Sequence, residues 1–115
     1  MAIPRATEDI DIWIASSPEN AQRIVSALKG FGFDVPELTP DLFLKPDSIV
    51  RMGVPPLRID LSTTISGVDF ASCYEARVTE IIDGINVNII DLAHLKKNKR
   101  ASGRFRDLDD LERLP

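Results

Sequence analysis

The chain has 115 residues, 43% of them hydrophobic and 28% charged, with a formal net charge of −4. That is the composition of an ordinary globular domain. It excludes wholesale disorder, and with no apolar run near the roughly 18 residues of a bilayer span and no signal-peptide pattern, it gives no sign of a membrane partner.

A single cysteine, Cys73, excludes an intrachain disulfide and fits a reducing cytoplasm. The length reads as a single domain over 1–115. The overall acidity argues against a general nucleic-acid coat, although Lys96, Lys97, Lys99, Arg100, Arg104 and Arg106 cluster late in the chain. No aromatic platform accompanies that basic run, so nucleic acid is expected only as an acceptor substrate.

Residues 8–14 alternate, with Asp9, Asp11 and Trp13 on one side and Ile10, Ile12 and Ile14 on the other, which predicts a strand. A helix follows in SPENAQRIVSALKG, capped by Ser16 or Ser17, with Pro18 in its first turn and Gly30 as its stop. FGFDVPELTPDLFLKPD is a proline-punctuated connection holding one short helical turn, PDLF, with Thr39 as its cap. SIVRMGV and LRIDLSTT read as two strands, since Pro55 and Pro56 between them exclude one continuous central strand. In the second, Leu57, Ile59 and Leu61 share one face and Arg58, Asp60 and Ser62 the other.

SGVDFASCYEA is a short helix, and RVTEIIDGINVNIID a hairpin turning at Asp83-Gly84. Asp91 caps a last helix, DLAHLKKNKRAS, which Gly103 breaks before RFRDLDDLERL. The order predicts an α+β fold, a small mixed sheet with helices packed on it.

Strand residues i and i+2 point the same way, so Asp9 and Asp11 project together about 7 Å apart at the backbone. Their carboxylates can converge on one divalent cation, and close carboxylates stay ionised together only beside a counter-charge. Asp60 carries the same alternation in a second strand. If the two strands are neighbours, three acids line one patch, and Mg²⁺ prefers such oxygen ligands together with substrate phosphates. The plain alternatives are polar alternation on a wet face and a surface pair between Asp60 and Arg58. For Lys99 the plain alternative is a solvated helix face. Trp13 reads as packing beside the site or against a helix.

PRATEDIDIWI resembles the metal-binding motif of the DNA polymerase β-like nucleotidyltransferase superfamily, nearest to its small prokaryotic, toxin-like members. PPLRIDLSTTISGVDF is similar to that family's third-carboxylate strand, and LKKNKRASGRFRDLDDLERL to its closing lysine helix, G-R and acidic helix. The resemblance implies a nucleotidyltransferase-like fold in which Asp9, Asp11 and Asp60 ligate Mg²⁺ or Mn²⁺. Asp60 is also implied as catalytic, helping to activate the acceptor hydroxyl. Arg5, Thr7, Lys99 and Arg104 are implied as contacts to the nucleoside triphosphate. The implied reaction transfers a nucleoside monophosphate to a hydroxyl and releases pyrophosphate.

One family feature is missing. Only eight residues precede Asp9 and the first glycine is Gly30, so no Gly-Gly or Gly-Ser turn stands before the aspartates. The chain therefore reads as an N-terminally short domain, one that begins late or a degenerate form, whose Asp9 strand is short of a neighbour. The alternative function is an inactive interaction module, forming a homo-oligomer or holding a toxin–antitoxin-like protein partner at an open sheet edge.

Overall fold

A computed structural model of the chain describes residues 2–3, 10–54, 57–104, 108 and 111–112. The elements in chain order are β1 (Ala2–Ile3), β2 (Ile10–Trp13), α1 (Pro18–Gly30), a 3₁₀ turn (Pro40–Phe43), β3 (Ile49–Val54), β4 (Leu57–Ser62), α2 (Phe70–Glu75), β5 (Val78–Ile82), β6 (Ile85–Ile89) and α3 (Leu92–Ser102). The strands form one mixed sheet in the order β3-β4-β2-β1-β6-β5. β2 runs parallel to β4 and β1 parallel to β6, and the remaining pairs are antiparallel. The fold is α+β, as the element order predicts.

β2 is not short of a neighbour. Ala2 lies opposite Ile12 and Ile3 opposite Asp11, so the two-residue β1 covers the edge that the sequence leaves open. Two residues are too few to show a period of two, which is why β1 has no signature in the sequence.

Ser17 caps α1, its side chain accepting from the Asn20 N–H at 3.2 Å, with Pro18 in the first turn. The helix does not stop by means of Gly30, which is its last helical residue. The left-handed residue is Gly32, at φ 103°, two positions later. Thr39 does stand before the 3₁₀ turn, but its side chain makes no capping hydrogen bond. The β5–β6 hairpin turns as its sequence predicts, with Asp83 at φ 50° and Gly84 at φ 78°, the double positive φ that an Asp-Gly pair accommodates.

The sheet separates two cores. On one face Ala21, Val25 and Leu28 of α1 pack with Leu38 and Phe43 onto Ile14 and Leu61, joined by Ile12, Val50, Met52 and Ile59. On the other, Trp13 packs with Cys73 of α2, Leu95 of α3 and Ile90. Trp13 is fully buried, donates from Nε1 to the Thr63 carbonyl at 3.2 Å and meets Phe70 edge to face at 5.1 Å. Tyr74 stacks on Phe70, and the Arg77 guanidinium lies 4.0 Å over the Tyr74 ring, so the aromatic column runs out to solvent.

The end of β4 is tied down by its threonines. The Thr63 hydroxyl donates to the Lys45 carbonyl at 2.7 Å and accepts from the Ser48 N–H at 3.0 Å, while Thr64 bonds both the backbone and the carboxylate of Asp47. These bonds hold the left-handed Asp47 and fix where β3 begins.

Candidate functional site

The face of the sheet that carries Trp13 also carries the acids. β2 and β4 are parallel neighbours in a register that sets Asp11 directly opposite Asp60. Hydrogen-bonded strands lie about 4.8 Å apart, and directly paired residues point to the same face. The two carboxylates therefore stand side by side. Each residue is only 7% exposed, so the acid face is not the solvent-washed surface that alternation alone suggests. α2, α3 and Trp13 cover it, and two like charges are held close in partly desolvated surroundings.

Counter-charge comes from the sheet edge. In β3, the outermost strand on this side, Arg51 lies opposite Asp60, and Arg58 is two residues before Asp60 in β4. Arg51 Nε is 3.6 Å and Arg58 Nη2 is 4.0 Å from the same oxygen, Asp60 Oδ1. These are ion pairs but too long for hydrogen bonds. Oδ1 is buried and has no hydrogen-bond donor, so its lone pairs are available to a ligand. Sequence reading paired Arg58 with Asp60; Arg51 it missed, because only the β3–β4 register brings Arg51 to the carboxylate.

Such an arrangement suits a hard cation. Two acid side chains on adjacent strands, one with an unbonded buried oxygen, match the small number of carboxylates by which Mg²⁺ is held while substrate oxygens fill its other positions. Among the described residues no group of three or more His, Cys, Asp or Glu side chains is gathered to hold a metal. Asp9, the third acid of the sequence pattern, lies outside the described residues, as do Arg5 and Thr7.

Lys99 departs from the solvated helix face expected as its plain alternative. At 3% exposure it is buried, on the same side of α3 as Leu95, whereas Lys97 and Arg100 are exposed. Leu95 packs with Trp13, so Lys99 belongs to the layer that covers the acid face. Arg104 follows the left-handed Gly103, at φ 63°, and is exposed.

The loop between β4 and α2 positions that layer. Asn98 of α3 donates from Nδ2 to the Ser66 carbonyl at 3.0 Å, and Gly67 is in such close contact that a Cβ there would come within 2.4 Å of Ala101 Cβ. At the start of α2 and α3, Asp69 accepts from the Ser72 N–H and Asp91 from the His94 N–H. For Asp69 those Ser72 hydrogen bonds hold the carboxyl below its usual 3.8. For Asp91 burial pushes upward, but hydrogen bonds from the His94 side chain and backbone outweigh it and the carboxyl falls below 3.8. Burial, reinforced by the negative charge of Asp91 and Asp69, raises the thiol of Cys73. A buried thiol held in its protonated form is a packing group and not a nucleophile.

No family model matches the chain, and no curated protein and no solved structure matches it. Among the described residues no helix is long and apolar enough to cross a membrane.

Proposed function

We propose that the chain is a nucleotidyltransferase-type domain that binds a nucleoside triphosphate through Mg²⁺ or Mn²⁺ and transfers its nucleoside monophosphate to a hydroxyl. The observation that carries this reading is the side-by-side placement of Asp11 and Asp60, nearly buried on parallel strands, with an unbonded carboxylate oxygen between the arginines and the β2 acid. The resemblance of PRATEDIDIWI and PPLRIDLSTT to the polymerase β-like superfamily supplies the reaction.

Asp11 and Asp60, with Asp9, would hold the metal, which supplies charge stabilisation to the transferring phosphoryl group. Asp60 accepts the proton of the acceptor hydroxyl. The hydroxyl oxygen bonds to the α-phosphorus as the bond to pyrophosphate breaks. Lys99 and Arg104, with Arg5 and Thr7, attract the triphosphate. Catalysis of this kind is mostly positioning and electrostatics, which asks for rigid carriers, and a central strand pair is one. A cytoplasmic setting supplies both the metal and the nucleotides.

Thermal melts with each of the four nucleoside triphosphates, in Mg²⁺, Mn²⁺ or EDTA, test the reading. A ligand at 100 times its Kd adds about 2.7 kcal/mol of stability. The expected result is a nucleotide shift that needs metal and is lost in Asp11→Asn. An equal shift in EDTA, or none in any condition, rules the reading out.

A second reading rests on β5. It is the last strand of the sheet and all five of its residues are exposed, with Val78 and Ile82 on the same face as the exposed Ile85. In this reading the domain binds a second copy or a protein partner along that edge. It expects a sedimentation coefficient that rises with concentration and stays flat in Ile82→Lys. A monomer at every concentration, with no partner retained in a pull-down, eliminates it.

A further inference from the structure

The acid face has cationic groups on two opposite flanks. α3, with the buried Lys99, packs against Trp13 and Ile90, toward the β1–β6 side of β2. Arg51 and Arg58 stand on the other side, at the β3 edge. Displacement at phosphorus is in-line, with the attacking oxygen and the departing pyrophosphate on opposite sides of the atom transferred. If Lys99 attracts the donor's triphosphate, the flank facing the attacking oxygen is the arginine edge.

The two guanidiniums are suited to more than neutralising Asp60. Their side chains are 63% and 32% exposed, and among the described residues neither donates a hydrogen bond. Both approach one oxygen from beyond hydrogen-bond range, leaving their donors directed at solvent. A cation on Asp11 and Asp60 takes over the charge balance and releases the arginines for another anion. Arginine's planar fork matches two oxygens of a phosphate, and two forks at one edge make a phosphate cradle.

We propose that Arg51 and Arg58 form the acceptor subsite and bind a phosphate group that neighbours the hydroxyl receiving the nucleoside monophosphate. This rests on the nucleotidyltransferase reading and narrows its acceptor to phosphate-bearing alcohols. Nucleic-acid ends and sugar phosphates share that chemistry.

Calorimetric titration of the full chain in Mg²⁺ separates these sources with two matched pairs, adenylyl-adenosine against adenosine and ribose 5-phosphate against ribose. The wild type is expected to bind the phosphate-bearing member of one pair at least tenfold more tightly than its phosphate-free partner, and which pair shows it identifies the source. In Arg51→Gln/Arg58→Gln that preference falls below threefold while affinity for Mg²⁺ and nucleoside triphosphate stays within twofold. Arg51→Lys/Arg58→Lys, which keeps the charge and loses the fork, retains only part of it. Both arginines are solvent-facing, so the variants fold, and melting curves verify it. No preference in the wild type overturns the proposal. So does an equal fall in triphosphate affinity, which would place the arginines on the donor. If the wild type binds no triphosphate yet keeps an arginine-dependent phosphate preference, the nucleotidyltransferase reading has failed and the acceptor assignment falls with it, leaving an anion site of another kind.

Discussion

Asp60→Asn is expected to abolish metal-dependent nucleotide stabilisation while leaving the metal-free protein at least as stable as its parent. In the metal-free state Asp60 contributes little to folding. Its ion pairs to Arg51 and Arg58 span 3.6 and 4.0 Å and involve partly exposed guanidiniums, a class worth about 0–1 kcal/mol. Against this stands the repulsion from Asp11, directly opposite on β2, which asparagine removes. The expected change in free energy of unfolding is therefore between zero and a gain of about 2 kcal/mol, the usual signature of relieving a strained functional site.

With metal present the balance reverses. An amide carries no charge and can direct its N–H₂ at the cation, so affinity for the metal–nucleotide complex should fall at least about 100-fold. That exceeds the roughly 10–100-fold cost of losing a group that only supports a ligand. Urea unfolding with and without Mg²⁺ and nucleotide reads both quantities. A metal-free variant destabilised by about 3 kcal/mol or more would show that the arginine–aspartate cluster is a structural ion pair and not a binding site.

The acids themselves were legible in the sequence, and their burial was not. Alternation in LRIDLSTT puts Asp60 with Arg58 and Ser62 on one face, and the β4 register agrees. It cannot say what lies over that face. The cover comes from α2 and α3, packed around Trp13, and their positions depend on contacts between residues some 60 to 80 apart in sequence. The same non-local packing takes Lys99 out of solvent while leaving Lys97 and Arg100 in it. Local chemistry fared better. Asp83-Gly84, Ser17 and Asp91 act through their own backbone, so residue type is nearly sufficient to place them. Gly30 shows the limit, since the left-handed conformation falls on Gly32 and either glycine fits the pattern.

Gly67 is the residue whose role only the structure reveals, and Gly67→Ala is expected to cost about 2–5 kcal/mol. Two separate effects add. At φ 79° an alanine is strained by about 1–2 kcal/mol. Its Cβ would also lie 2.4 Å from Ala101 Cβ and 3.3 Å from the Lys97 carbonyl, an overpacking that typically costs 1–3 kcal/mol. The collision falls on the helix that carries Lys99, next to the Asn98 to Ser66 hydrogen bond that ties α3 to the loop. Relieving it means moving α3 away from the acid face, so nucleotide affinity should fall together with stability. Ala101→Gly separates the two causes. In the double variant Gly67→Ala/Ala101→Gly the steric part is recovered and the backbone strain stays, giving a coupling of about 1–3 kcal/mol in a double-mutant cycle. Purely additive effects would mean that α3 yields to the new methyl group at no cost. The loop would then not be what holds Lys99 over the carboxylates.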